Sequence, residues 1–522
     1  MPVCGTAMTS ESPSIELELK LQVPPAAMRR LSAHRLLKGS ARTPTRRLHS
    51  VYFDTPGLEL WRQGITLRLR RDGGRWFQAV KGGGTALAGL HRRLEDETEV
   101  AGPTPDYSRI EGHVLAGVFS SERLRSRLRP VFVTHFVRSS RLLEVDPETR
   151  VEASIDRGVI RAGKRNVRVF ELELELKGGA PRQLYEIALQ LAKDLPLSIE
   201  NRSKAELGYA LYRGKDPKPV KAHPAALTPA LSVGESFNAV IQANLAQLQA
   251  NEHGMLAGGD AEYLHQMRVA LRRLRSAFSV FEPVVPEVAV APVAAELKWL
   301  ATRLGPARDW DVFVTETLPP IEKEFGTHGE LKAFSEHCRE LRDAACARAR
   351  RVVRSARYRR LMLSLGAWLA AAGWLSPLEP EQRAALDTPV GAFAGKVLEK
   401  RYSQVRKRGR KVGGLSAKEL HRLRIAVKKF RYAADFFAGL YEGAPVREAL
   451  KRLSRLQDRL GAINDAAMVA DLVAHGPGGT GDQNLPEAKG ILLGWSHNRS
   501  VTLRRELKSV WKPFRAAGRF WR

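Results

Sequence analysis

Cysteine is scarce in this chain: Cys4, Cys338 and Cys346 are the only three among 522 residues. They stand in no metal-ligand spacing, so neither a disulfide framework nor a cysteine metal site is expected, and a reducing compartment is the default. No apolar run approaches the roughly 20 residues that cross a bilayer, so no membrane span is expected. The opening stretch MPVCGTAMTSESPS has neither a basic n-region nor a hydrophobic h-region, which points to a cytoplasmic protein. Aromatic residues make up only 7% and are not interleaved with the basic runs of the second half. That absence counts against a platform for stacking single-stranded bases. Acidic residues are the minority charge, 56 against 85 Lys and Arg, for a net +29. Such an excess attracts polyanions: nucleic acid, anionic lipid or polyphosphate.

What is present divides in two. The chain is too long for one ordinary domain, and the Pro-rich stretch GKDPKPVKAHPAALTPAL (214–231) reads as a linker. Before it, short alternating runs recur at 45–54, 64–71, 75–81, 90–100, 130–145, 150–161 and 165–177. Turn residues such as Asp72-Gly73-Gly74 separate them, and helical pieces fit near 25–38, 106–117 and 181–194. Many strands with few crossover helices predict an antiparallel sheet or barrel. After the linker, helical periodicity takes over at 236–253, 262–282, 294–304, 331–363, 392–408, 417–440 and 446–472. The class is therefore α+β, with an all-α second half.

That second half contains a duplication. LHQMRVALRRLRSAFSVFEP (264–283) matches LHRLRIAVKKFRYAADFFAG (420–439), and RLGPARDWD (303–311) matches RLGAINDAA (459–467), at one unchanged offset. The repeats are expected over about 236–385 and 392–515. In the first, His265, Arg268, Arg272 and Arg275 fall within an arc of about 80° at 3.6 residues per turn. His421, Arg424, Lys428 and Arg431 hold the same places in the second. A charged stripe is commonly just solvated surface; one kept in register through a duplication suggests a polyanion site. Asp309 and Asp465 follow the two RLG turns, as helix caps or as partners for a basic neighbour.

The strand half holds two acidic rows, IELELK (15–20) and FELELELK (170–177). Strand side chains alternate faces, so Glu16, Glu18 and Lys20 share one face, and so do Glu171, Glu173, Glu175 and Lys177. A row of carboxylates repels itself unless cations compensate it. Other strands carry charge at the same spacing: Arg68 and Arg70, Lys81, Arg93 with Glu95, Glu97 and Glu99, Arg138, and Glu152 with Asp156; RSKAELGY adds Lys204. If these faces line one barrel, a polyphosphate anion with a hard divalent metal answers both charge signs. KGGGT (81–85) lacks P-loop spacing and reads as a turn after a strand. His34, His49 and His135 read as surface or packing residues.

The ordered set Glu16-x-Glu18-x-Lys20, Tyr52 to Thr55, Arg68/Arg70, Lys81, Arg93-x-Glu95-x-Glu97, Glu171 to Glu175 and Ser203-Lys204 resembles the CYTH superfamily, the triphosphate tunnel metalloenzymes, over roughly 13–213. The resemblance implies an eight-stranded antiparallel tunnel that hydrolyses triphosphates with Mg²⁺ or Mn²⁺. It implies Glu16, Glu18, Glu171, Glu173 and Glu175 as metal ligands, and Glu16, Glu18 and Lys20 as catalytic. Lys20, Arg68, Arg70, Lys81, Arg93, Arg138 and Lys204 would clasp the phosphates while water attacks a terminal phosphorus. The second half, 232–515, resembles the CHAD domain through the helices His265 to Arg275 and His421 to Arg431. That resemblance implies polyphosphate binding by His265, Arg268, Arg272, Arg275, His421, Arg424, Lys428 and Arg431. The expected activity is inorganic triphosphate hydrolysis. The alternatives are thiamine triphosphate hydrolysis, adenylate cyclase activity on ATP, or a non-catalytic binder of polyphosphate or nucleic acid.

Overall fold

The computed structural model describes residues 14–38, 41–110, 115–215, 217–441, 443–475 and 485–522. The opening stretch with Cys4, and positions 111–114 of the helical piece expected over 106–117, lie outside them. Two compact units emerge. One runs to Lys218 and takes in Ala356–Gly373; the other comprises Pro219–Ser355 and Trp374–Arg522.

The first unit is built on ten strands: β1 (Ser14–Gln22), β2 (Ala41–Arg42), β3 (Arg46–Asp54), β4 (Thr66–Asp72), β5 (Arg75–Leu87), β6 (Leu90–Val100), β7 (Arg129–Asp146), β8 (Thr149–Ala162), β9 (Arg165–Gly178) and β10 (Ser198–Ile199). Eight close into an antiparallel barrel in the order β1-β6-β5-β4-β3-β7-β8-β9 and back to β1, while β2 and β10 pair at its margins. The α+β class and the eight-stranded barrel expected from the sequence are what the chain forms.

Alternation decides the barrel's polarity. On β1 and β9, Leu19, Leu21, Leu172 and Leu174 are fully buried, and the helix Pro181–Asp194 packs on those two strands with Leu184, Ala188 and Leu191 equally buried. The apolar core thus lies outside the wall, and the charged residues of the same strands turn inward. At one end the helix Lys204–Arg213 sets Ala205 and Tyr209 against Tyr52, Phe132 and Phe136. Gly208 on this helix has no room for a side chain: a Cβ would come within 2.2 Å of the Phe132 ring. Gly208→Ala is expected to cost about 1–3 kcal/mol through overpacking. Thermal unfolding checks it against Gly102→Ala, where an added Cβ meets nothing.

Two motifs find local explanations. Asp54 of the Tyr52-to-Thr55 stretch is fully buried and accepts the N–H groups of Thr55, Leu60 and Trp61 at 2.6, 3.0 and 3.0 Å. It therefore anchors the turn after β3. The KGGGT stretch is not a turn: β5 continues through it with a register shift between Gly82 and Thr85, and Gly83 takes the positive φ of 63° that a bulge requires. The chain reverses later, at Ala88-Gly89.

The second unit shows the duplication as two sets of four principal helices: Val233–Ala250, Glu262–Phe281, Glu287–Val312 and Gly329–Val353, then Val390–Arg408, Ala417–Phe437, Ala444–His475 and Pro486–Ala516. The first helices of the two sets are tied symmetrically, Val233 N–H to Thr388 C=O at 2.9 Å and Val390 N–H to Leu231 C=O at 3.0 Å. Two expectations need correction. The segment 331–363 is not one helix: it ends at Val353, and a separate helix, Ala356–Ala370, packs on Pro181–Asp194 within the first unit. The two RLG stretches are not turns either. They lie inside the continuous helices Glu287–Val312 and Ala444–His475, so Asp309 and Asp465 cap nothing.

Candidate active site and anion cleft

Cross-strand register brings the inward charges into belts, because residues directly opposite in an antiparallel pair share a face. Glu18 lies opposite Glu175 and Lys20 opposite Glu173 on β1 and β9; Asp156 lies opposite Glu171 on β8 and β9, and opposite Arg138 on β7. On the far wall Lys81 faces Glu95, and Glu16 faces Arg93. The belts line a cavity of about 70 Å³ with Glu16, Glu18, Glu173 and Tyr52 on its walls beside seven cations, Lys20, Arg68, Arg70, Lys81, Arg93, Arg138 and Lys204.

The carboxylates separate into two groups. In one, Asp156, Glu171 and Glu173 are buried and bring three oxygens within 4.8 Å of one another. Lys204 Nζ sits among them, 2.8 Å from both Asp156 and Glu173 and paired with Glu171. Arg138 holds Asp156 through two bonds of 2.8 and 2.6 Å and also meets Glu173. Lys20 bridges Glu173 and Glu18, the latter at 2.8 Å. Burial opposes charge on Glu173, but Lys20, Lys204 and Arg138 outweigh it and hold its carboxyl well below the usual range. Glu171 goes the other way: burial, reinforced by Glu173 and opposed by Lys204, pushes it up to about 7. Two adjacent carboxyls are thus driven apart by their surroundings.

In the second group Lys81 Nζ joins Glu16 at 2.7 Å and Glu95 at 2.8 Å, and Arg68 joins Glu97 at 2.8 Å and Glu95 at 3.2 Å. Arg70 is the least compensated, 3.6 Å from Glu97 and brought down to about 10 by burial and Arg68. Among the described residues Arg93 reaches only Glu206, at 3.2 Å. Glu175 is turned to Lys177, 2.6 Å away. The five carboxylates expected as metal ligands are therefore spread along two neighbouring strands, and Asp156, which was not among them, stands with Glu171 and Glu173. An all-oxygen donor set that already converges on one ammonium fits a hard divalent cation. His49 and His135 touch across β3 and β7, their Nδ1 atoms 3.2 Å apart, and His34 pairs with Asp194 at 3.0 Å. Neither group lines the cavity.

The second unit has its own charged hollow. The helices Glu262–Phe281 and Ala417–Phe437 turn Arg268, Arg272, Arg424 and Lys428 into a cleft of about 590 Å³, with His265, Arg308, Asp309 and Asp465 on its walls. The other three stripe members do not line it: Arg275 and His421 are exposed, and Arg431 lies 3.8 Å from Asp435 and 4.0 Å from Asp458. Among the described residues Arg272, Arg424 and Lys428 form no ion pair. His265 Nδ1 and the Nε atoms of Arg268, Arg272 and Arg424 are buried with no hydrogen-bond partner. Burial and Arg308 bring His265 down to about 4; burial, Arg424 and Arg272 bring Lys428 down to about 8. Arg308 was missed from the sequence because the duplication does not keep it: its counterpart is Asn464.

With this geometry in hand, comparison with known proteins locates the chain. The CYTH domain family matches residues 14–209 and the CHAD domain family residues 239–474. A Haemophilus influenzae protein named inorganic triphosphatase is 31% identical over 166 residues, which is 31% of this chain and 46% of that protein, so the chain spans about half the length of the curated relative it matches. A crystal structure of the CHAD domain from the plant Ricinus communis is 31% identical, with a TM-score of 0.50 over 58% of this chain and 99% of that one. The chain therefore belongs to the CHAD family through its helical part, which it carries behind a CYTH domain.

Proposed function

We propose that the barrel hydrolyses inorganic triphosphate with a divalent metal and that the helical cleft binds polyphosphate. The observation that carries the first reading is the convergence of seven Lys and Arg side chains with Glu16, Glu18 and Glu173 in one cavity, where Glu173 joins the buried pair Asp156 and Glu171. A chain of three phosphates needs many cations and no base-stacking wall. Arg68, Arg70, Lys81 and Arg93 would hold phosphate oxygens along one side, as guanidinium and ammonium groups do. Lys20, Arg138 and Lys204 would take up charge that grows on the departing phosphate in the transition state. Glu173, with Asp156, Glu171 and Glu18 around it, would hold Mg²⁺ or Mn²⁺. That ion, when bound, supplies charge neutralisation and a more acidic water.

The cleft reading rests on its unpartnered cations. Arg272, Arg424 and Lys428 are half-buried and form no ion pair among the described residues, which is costly, and a polyanion supplies the missing acceptors. Phosphate release from tripolyphosphate, thiamine triphosphate and ATP across a metal series tests the barrel. Tripolyphosphate is expected to give kcat/KM about tenfold or more above ATP, since seven cations line the cavity and Tyr52 is the single aromatic among its described lining residues. Equal or better turnover of ATP would overturn the substrate assignment.

A further inference from the structure

One cation of the helical cleft differs in kind from its neighbours. Arg268, Arg272, Arg308 and Arg424 are guanidines, which stay charged throughout the physiological range. Lys428 is an amine at the position that the first repeat fills with Arg272. It is half-buried, it forms no ion pair among the described residues, and Arg424, Arg272 and Arg268 are its charged neighbours together with Asp465. An amine set among guanidiniums in a desolvated hollow loses its proton more readily, and the free amine is the nucleophilic form. The fall to about 8 agrees with that placement. An ordinary exposed lysine keeps roughly one amine in a thousand unprotonated near pH 7.4.

The cleft also selects what reaches that amine. Arg272 and Arg424 offer guanidinium donors with no protein acceptor, which suits the phosphate end of a small anion. We propose that Lys428 is an acylation site whose reagent is an acyl phosphate, held by its phosphate on the cleft arginines with its carbonyl carbon at Nζ. This rests on the cleft being a phosphate site. The amine lone pair forms a C–N bond at the carbonyl carbon. The C–O bond to phosphate breaks, inorganic phosphate departs with the electron pair, and the nitrogen gives one proton to solvent. The product is a neutral amide. It removes a cation from the cleft, so acylation turns polyphosphate binding down.

The test uses the full chain incubated with acetyl phosphate, with acetylation measured site by site by peptide mass spectrometry. Lys428 is expected to react on the order of tenfold or more faster than the exposed Lys418 at the start of the same helix. Excess tripolyphosphate should slow Lys428 and leave Lys418 unchanged. With a neutral acetyl ester in place of acetyl phosphate, the preference for Lys428 should shrink. Polyphosphate affinity of the wild type should fall after treatment, whereas Lys428→Arg should keep its own untreated value. Labelling of Lys428 no faster than Lys418, in a chain that binds polyphosphate, overturns the acylation and leaves the cleft reading standing. Fast labelling that tripolyphosphate does not slow, in a chain that fails to bind polyphosphate, overturns the phosphate-directed route together with the cleft reading.

Discussion

Glu173→Gln is expected to lower kcat for tripolyphosphate by on the order of 10³ while leaving the barrel folded. Glu173 is 5% exposed and is the one carboxylate that meets Lys20, Lys204 and Arg138 together. Two roles predict different kinetics. If it only neutralises three cations, removing its charge makes the cavity more positive, so substrate binds more tightly and kcat barely moves. If it holds the divalent ion, kcat collapses and half-maximal activity requires roughly 10–100-fold more metal. Glu175→Gln is the matched control, since Glu175 is spent on Lys177; a loss below about tenfold is expected there. Steady-state kinetics across a Mg²⁺ or Mn²⁺ titration separate the cases. An unchanged kcat for Glu173→Gln, with KM lowered, would remove Glu173 from the metal site and leave it a counter-charge.

The barrel was legible because alternation survives on β1, β4 and β9, which carry Glu16 to Lys20, Arg68 with Arg70, and Glu171 to Glu175. A period of two assigns each side chain to a face, so the inward set could be written from the sequence, with the two acidic rows on two strands of one barrel. Which carboxylates meet at one point was not legible. β1 and β9 run antiparallel, so advancing along one row retreats along the other: Glu18 faces Glu175, and Lys20 faces Glu173. Glu16 is carried away to Lys81, while Glu171 reaches Asp156 on β8. That last pairing is set by the β8–β9 hairpin, which turns at Gly163 with a φ of 57° and runs without a shift from Ala162 opposite Arg165 to Asp156 opposite Glu171. Alternation assigns a face and not the place of the turn, so the partner across the hairpin leaves no periodic trace. In the helical half the duplication revealed the stripes, yet 3.6-residue periodicity assigns a face to a helix and not the span of that face that meets its partner. Arg275 and His421 share the stripe but stay exposed.

Combined replacement of Arg272, Arg424 and Lys428 by Gln is expected to weaken polyphosphate binding by about 10³ at moderate salt, at roughly 1.4 kcal/mol for each lost charged contact. The slope of log K against log salt should become shallower by about 2, because three fewer cations displace counterions from a single-stranded polyanion. The control pair, Arg275→Gln with Arg431→Gln, removes charge from the same helices outside the cleft. Arg275 is exposed and Arg431 is occupied by Asp435 and Asp458, so a change below about threefold is expected, in line with weak exposed charges. Stability supplies the second readout. Arg272, Arg424 and Lys428 form no ion pair among the described residues, and they crowd one another: Arg272 works against charge on both Arg424 and Lys428. Gln has similar helix propensity to Arg and Lys. Relieving the repulsion should therefore hold the melting temperature level or raise it, even as binding is lost. Opposite movement of affinity and stability is the signature of cations kept for a ligand. Equal losses of binding in the triple variant and the control pair would instead mean that the polyanion reads the net charge of the helices and not the cleft.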